Sequence, residues 1–310
     1  MSSLKSVRSG GSDRVGGLRA VPNCSEGRDR DLIARLVAST QVMGVRVDDV
    51  HSDPDHDRTV ITLSGEPRAL VQAGVALAAA CRDLLDVRGR DGVHPFVGAL
   101  DVLPFVAMTP DRMPAAVECA RRAAQRIGGE LGVPCVLYGQ AGGAGRERPG
   151  LLRRGGLPGL RERMASGEVV ADAGPRAPHD TAGVVLVGAR GPLIAWNVWL
   201  PGASLDDARS IAAAVRDGGE GGGLPSVRAL GLRCPRSGLA QVSMNVEDYC
   251  RTPLAAVVGK VRDEAAARGL VAGESELVGM IPREALAGAS PADLGLPALP
   301  PQQVIDPTED

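Results

Sequence analysis

The sequence predicts an α+β fold built of two similar lobes. Three observations carry that reading. Apolar residues make up 44% of the 310-residue chain, enough to fill two cores, and single domains usually run to about 100–200 residues. The hydrophobic period switches between strand-like and helix-like in a regular order. That order, β-α-β-β-α-β, occurs twice, which is the ferredoxin-like, split βαβ pattern. Each ferredoxin-like βαββαβ-type lobe would carry one sheet with helices on one face. The economical arrangement turns the open faces toward each other across a central cleft.

The elements follow in order. Residues 1–17 read as a disordered tail, and residues 18–23 as a short strand. Leu32, Ile33, Leu36 and Val37 place a helix over residues 28–40. Residues 45–50 and 59–63 read as strands joined by the turn-rich HSDPDHD. Pro67 suits a first helical turn and opens a helix to about residue 86, with Leu70, Ala73, Leu77, Cys81 and Leu84 on one stripe. A strand over 99–107, a helix over 111–127 and a strand over 133–138 complete the first part. The Gly-, Pro- and charge-rich connector that follows holds one helix near residues 157–164. In the second part, strands are expected over 184–189, 193–200, 227–232 and 240–246, with a further one inside 270–280. Helices are expected over 205–216, opened by Ser204 as cap, and over 253–268. The lobes are placed at 18–170 and 171–287. Residues 288–310, rich in Pro and Ala, read as a loosely attached extension.

Composition excludes several classes. Aromatic residues are only 2% of the chain, too few for the stacking platforms of single-strand nucleic-acid binders. A formal net charge of −2 does not suit a protein that tracks phosphates. No apolar run of about 18 residues marks a membrane span, and the N-terminus lacks the apolar segment of a signal peptide. Cys24, Cys81, Cys119, Cys135, Cys234 and Cys250 show no CxxC spacing, which points to a reducing, cytoplasmic setting. The basic residues are almost all arginine. Codon bias explains that better, taken alone, than a role in gripping carboxylates does.

There are four histidines. His51 and His56 lie among aspartates, as a metal site would require, but their spacing fits a solvated acidic turn better. A third reading makes this turn a site-lining loop, with Asp57 and Arg58 facing the cleft. His179 lies in DAGPRAPHDTAG, a Pro- and Gly-fixed loop that reads either as a lobe linker or as a ligand cradle with Thr181 as donor. His94 is the strongest candidate for chemistry. It precedes Pro95, which restricts its backbone, and Gly92 and Gly98 leave room beside it. An imidazole exchanges protons near neutral pH. A structural histidine at a strand entrance is the competing reading, and spacing alone favours it. Neither a G-x-S-x-G elbow nor a Walker loop occurs.

At these residues the chain resembles the formiminotransferase family. The resemblance is carried by VPNCSEGR, DPDHDRTV, HPFVGALDVLPF, VLYGQA, HDTAGVVLVGAR, LIAWNVWL, AQVSMNVEDY and ELVGMIPREAL, and covers about residues 19–286. It implies two α/β subdomains with a tunnel between them, 18–170 as the N-terminal and 171–287 as the C-terminal one. It also implies transfer of a formimino group from N-formimino-L-glutamate to tetrahydrofolate, the co-substrate. By the same resemblance His94 is the acid/base, and Asp172, Gly174, Pro175, His179 and Thr181 belong to a folate-binding loop. Asp49 or Asp101 would orient the imidazole, and Arg58 would grip substrate carboxylates. No metal is implied, and a homodimer is expected by family analogy alone. The chain departs from the family motifs at Phe96 (an Arg in the family), Gln140, Ala173, Asp180 and Trp199. Some relatives carry a cyclodeaminase domain downstream. This sequence ends at Asp310, so release of 5-formimino-tetrahydrofolate to a separate enzyme is expected. Three alternatives stay open: a paralogue using another donor such as N-formylglutamate, a folate-binding protein without catalysis, and a metal-dependent hydrolase using His51 and His56.

Overall fold

The computed structural model describes residues 17–219 and 222–305. The expected tail over residues 1–17 therefore lies, apart from Gly17, outside the described residues. The architecture is mixed α and β, with a seven-stranded sheet, a four-stranded sheet and a two-stranded ribbon.

The chain enters the large sheet through β1 (Leu18–Ala20) and β2 (Asn23–Cys24). The expected single strand is split here because Pro22 has no N–H to give a ladder. Its carbonyl still accepts from Ile61 N, and Val21 N donates to Pro104 O. Helix α1 (Arg30–Ser39) is capped by Asp29, whose side chain accepts from Asp31 N and Leu32 N. The hairpin β3 (Val45–Asp53) and β4 (Arg58–Gly65), helix α2 (Pro67–Leu84), and β5 (Leu100–Ala107) follow. β1 pairs antiparallel with both β4 and β5, and β3 closes one edge against β4.

On β4 the side chains alternate. Ile61 and Leu63 turn to the helices and are fully buried, while Arg58 and Val60 lie half-buried on the other face. Leu70 and Leu77 of α2, Phe105 of β5, and Ile127 of α3 (Met113–Leu131) join them in one core.

Beyond β5 the large sheet grows by two parallel strands, β7 (Val185–Arg190) and then β6 (Cys135–Gly139). The sequence reading counted residues 184–189 with the second part. The chain instead returns them to the first sheet, between β5 and β6. The connector holds two helices where one was expected, α4 (Pro149–Leu152) and α5 (Gly156–Ala165). Leu152, Leu160 and Met164 bury against Val102, Val136, Tyr138 and Leu186. The connector thus covers one face of β5, β7 and β6.

The second sheet runs β9 (Val227–Arg233), β10 (Ala240–Val246), β8 (Ile194–Leu200), β11 (Ser275–Val278), all neighbours antiparallel. Trp196, Val198, Val242 and Met244 turn inward to α6 (Leu205–Val215) and α7 (Leu254–Ala266). Asn197, Gln241 and Ser243 lie on the other face by alternation. Ser204 caps α6 through a full capping box with Asp207.

Residues 288–305 are not loosely attached. Leu294 and Leu296 are buried in the second core, and β13 (Val304–Ile305) pairs parallel with β12 (Ile281–Pro282). The leucines spaced among the Pro and Ala residues supply that anchorage. No described helix is long and apolar enough to cross a membrane.

The strand entrance before β5 is built by close backbone approach. Gly98 bridges to Gly183, and a Cβ added at Gly98 would lie 2.1 Å from Val184 O. Gly98→Ala should therefore destabilise the protein by about 1–3 kcal/mol, read as a lower urea midpoint with an unchanged m-value.

Candidate functional site

The strand entrance sets His94 where the open face of β4 meets the second sheet. Its ring stacks on His56 with centroids 6.0 Å apart. His56 Nε2 lies 2.9 Å from Gln241 Oε1 of β10. An imidazole pair from the first half is thus tied to the second half. The turn carrying His56 is held there twice over, because Asp55 accepts from Arg236 N at 2.7 Å.

Around His94 the partners are charged. Its Nδ1 lies 2.8 Å from Pro95 O and 3.2 Å from Arg58 Nη1. One nitrogen cannot donate to the carbonyl and accept from the guanidinium at once. The shorter contact assigns the proton to Nδ1, donated to Pro95 O, and leaves the lone pair on Nε2. Arg58 donates from Nε to Asn23 Oδ1 at 2.8 Å and from Nη1 to Asp101 Oδ2 at 2.9 Å. The same Asp101 oxygen accepts a short hydrogen bond from Arg153 Nη2. Asp101 Oδ1 accepts from Val97 N at 2.8 Å. The apolar-looking run around Asp101 thus hides a fully buried carboxylate between two guanidinium groups.

The electrostatics follow from burial and these neighbours. Burial disfavours the His94 cation, and Arg58, Arg153 and His56 add repulsion, so its pKa falls well below the ordinary 6.5. Burial alone would raise the Asp101 carboxyl, but Arg153 and Arg58 outweigh it and hold the pKa down. Burial, then Arg153, lower Arg58 to about 10.

A histidine with a depressed folded pKa contributes stability above its unfolded value and loses it as pH falls below. The same sign governs a base. If His94 acts as one, kcat/KM holds level through neutrality and its acid limb lies well below pH 6.5. A pH–rate profile checks this.

The loop carrying His94 is clamped. Arg90 donates to Glu26 Oε2 at 2.9 Å and to Asp57 Oδ2 at 3.0 Å, and Asp57 also accepts from Gly27 N. Asp57 holds a left-handed φ of 49° to make that turn. The motifs SEGR and DHDR therefore meet in space to fix the segment before His94.

Asp49 is placed elsewhere. It pairs with Thr62 on β4, four residues from Arg58, roughly 13 Å at 3.3 Å per residue. Burial raises its pKa, and its Oδ2 has no hydrogen-bond partner. Near it, His51 Nε2 lies 3.5 Å from Glu276 Oε1, and Asn197 donates to Glu276 Oε2 at 3.0 Å. Burial opposes the His51 cation, yet Glu276 outweighs it and raises the pKa. This second polar group also joins the halves.

The segment 172–181 is partly engaged in structure. Asp172 accepts from Leu137 N and Arg146 Nη1, both at 2.7 Å. Gly174 has a φ of 82° and packs against Gly128 of α3. His179 Nδ1 accepts from Ala182 N at 3.1 Å, and Thr181 O accepts from Val87 N. Pro175 is exposed. The loop borders the strand entrance through the Gly183–Gly98 bridge.

Among the described residues no group of three or more His, Cys, Asp or Glu side chains is arranged to hold a metal ion. His51 and His56 face Glu276 and Gln241 instead. Phe96, where the family motif has arginine, packs against the first core. A groove lined by Arg28, Ile33, Val37, Val50 and Pro54 lies along α1 and β3; His94 is not part of it.

Sequence reasoning missed Arg153, Gln241, Glu276 and Asn197. Gln241 and Asn197 lie in AQVSMNVEDY and LIAWNVWL, so those motifs were a usable signal. Arg153 sits in the charged connector, where nothing in the spacing marks it.

The comparisons with known proteins agree along the chain. Residues 17–190 match the formiminotransferase domain, N-terminal subdomain, and residues 195–292 match the formiminotransferase domain. The chain is 36% identical to glutamate formimidoyltransferase of Thermoplasma acidophilum, covering 87% of this chain and 89% of that protein. It is 35% identical to the protein of that name from Streptococcus pyogenes serotype M1, covering 87% and 90%. It is 38% identical to formimidoyltransferase-cyclodeaminase of Sus scrofa, covering 88% of this chain but 51% of that protein. The class these matches define is a transferase. The chain belongs to the formiminotransferase family.

Proposed function

We propose that this protein transfers the formimino group of N-formimino-L-glutamate to N5 of tetrahydrofolate, giving 5-formimino-tetrahydrofolate and glutamate. The observation that carries the reading is the match to glutamate formimidoyltransferases over 87% of the chain. The two sheets are read as ferredoxin-like lobes facing a central cleft. The strand orders β3-β4-β1/β2-β5 and β9-β10-β8-β11 support that, each being a split βαβ arrangement.

In this reading N5 attacks the electrophilic amidine carbon and forms a C–N bond. His94 Nε2 takes the N5 proton. The bond from that carbon to the glutamate nitrogen then breaks, and the proton passes from His94 to the departing amine. The depressed pKa supports this role, because the imidazole starts neutral. Asp101 acts on His94 through Arg58, holding the guanidinium against the ring. Asp49 pairs with Thr62, too far along the strand from Arg58 to orient the imidazole or to touch the amidine beside it. Arg58 faces substrate carboxylates, and Asp172, Gly174, Pro175, His179 and Thr181 shape the folate side. Acid/base help supplies roughly 10²–10⁴-fold, and holding both substrates together supplies much of the rest.

The test mixes purified protein with tetrahydrofolate and either N-formimino-L-glutamate or N-formyl-L-glutamate, following the folate product by absorbance. Turnover with the formimino donor is expected. Turnover confined to the formyl donor would make the protein a paralogue of different specificity. Folate binding without turnover would make it a binding protein.

A further inference from the structure

We propose that Arg153, together with Arg58, binds the α-carboxylate of the N-formimino amino acid and so determines which donors the site accepts. The proposal deepens the transferase reading above and rests on it.

The charge count is the starting point. Asp101 uses one oxygen, Oδ2, for both Arg58 and Arg153, and gives Oδ1 to Val97 N. Two guanidinium groups therefore share one carboxylate. The neighbouring acids do not make up the difference, because Glu26 and Asp57 are bound by Arg90. Asn23, which takes Arg58 Nε, is neutral. The pair carries one net positive charge in a place with little water, since the side chains of Arg58 and Arg153 are only 13% and 11% exposed. Arg153 Nε is buried and has no hydrogen-bond partner. An anion at this pair would answer the uncompensated charge, and the planar guanidinium fork suits a carboxylate.

Bond lengths select which carboxylate. In the donor, the nitrogen that departs is bonded to the carbon bearing the α-carboxylate. The side-chain carboxylate is several bonds further away, and the carboxylates of the folate tail are remote from N5. Arg58 Nη1 lies 3.2 Å from His94 Nδ1. A carboxylate held by this pair therefore sets the departing nitrogen beside the imidazole. Arg153 comes from the connector between α4 and α5, so this part of the site is supplied by neither sheet.

The experiment compares the full-length wild type with Arg153→Met and Arg153→Lys. The donors are N-formimino-L-glutamate, N-formiminoglycine, which keeps only the α-carboxylate, and 4-(formimino)aminobutyrate, which lacks it. Arg153→Met is expected to raise KM for both α-carboxylate donors by about tenfold to a hundredfold. KM for 4-(formimino)aminobutyrate and for tetrahydrofolate should stay near the wild-type values. Arg153→Lys, which keeps the charge but not the fork, should fall between and guards against misfolding of the methionine variant. A rise confined to tetrahydrofolate would assign the pair to the folate tail and overturn the proposal. Equal loss for all donors would also overturn it. Calorimetry with L-glutamate and γ-aminobutyrate needs no turnover: wild type should bind L-glutamate more tightly, Arg153→Lys should weaken that preference, and Arg153→Met should lose it. If wild type discriminates in that way yet transfers no formimino group, the transferase reading falls and the subsite stands.

Discussion

His94→Ala is expected to lower kcat by roughly 10²–10⁴-fold while leaving affinity for tetrahydrofolate nearly unchanged. The imidazole is half-buried and contacts Arg58, Pro95 and His56 rather than filling a core. Its removal costs little packing. A neutral base must take the N5 proton and return it to the amine, and no other described imidazole touches Arg58. Because the pKa is depressed, the wild-type base is already deprotonated at neutral pH. The residual rate of the variant should therefore lose the acid limb of the pH profile. Single-turnover kinetics and folate titration separate the two effects. Unchanged kcat would remove His94 from the chemistry, whatever the ancestry of the chain.

Asp101→Asn is expected to destabilise the protein by about 3–5 kcal/mol, the usual cost of breaking a buried ion pair from one side. Asparagine keeps an acceptor but leaves Arg58 and Arg153 as two uncompensated charges in a buried place. Folding would have to expel one of them or admit water. Activity should fall with stability, since Arg58 loses the partner that holds it beside His94. The double variant Asp101→Asn/Arg153→Met removes one cation together with the anion. It should regain part of the lost stability, a coupling that a double-mutant cycle reads directly. Additive losses in chemical denaturation would show that the guanidinium pair does not depend on this carboxylate.

Much of the local structure was legible in the sequence. The strand over residues 240–246 and the cap at Ser204 stand where the pattern placed them. The reason is that period and cap chemistry are properties of a few neighbouring residues. Strand partnership is a different kind of fact. A run such as VVLVGAR reads as buried on both faces, and nothing within it says which sheet will take it. Chain order therefore groups residues 184–189 with the second part, while their ladder partners are β5 and β6 of the first sheet.

The site divides in the same way. His94, Arg58 and Asp101 lie in two motifs that the resemblance flagged, and they meet in space. Asp49 shares their sheet face but stands apart from them. Arg153 could not be found from spacing, because its position depends on where the connector docks. Gln241 and Glu276 come from the second half, and only the meeting of the two sheets brings them to the histidines.

The insertion of β7 between β5 and β6 has a consequence for how the chain matures. β6 ends at Gly139, but its ladder partner ends at Arg190. During synthesis at about 5–20 residues per second, β6 waits some seconds with its backbone groups unmatched. Until the later segment emerges, the facing edges of β5 and β6 have no strand between them to pair with. A ribosome stalled between these points would present an adhesive intermediate, and the step that ends the hazard is the threading of one strand into a slot already framed by its neighbours.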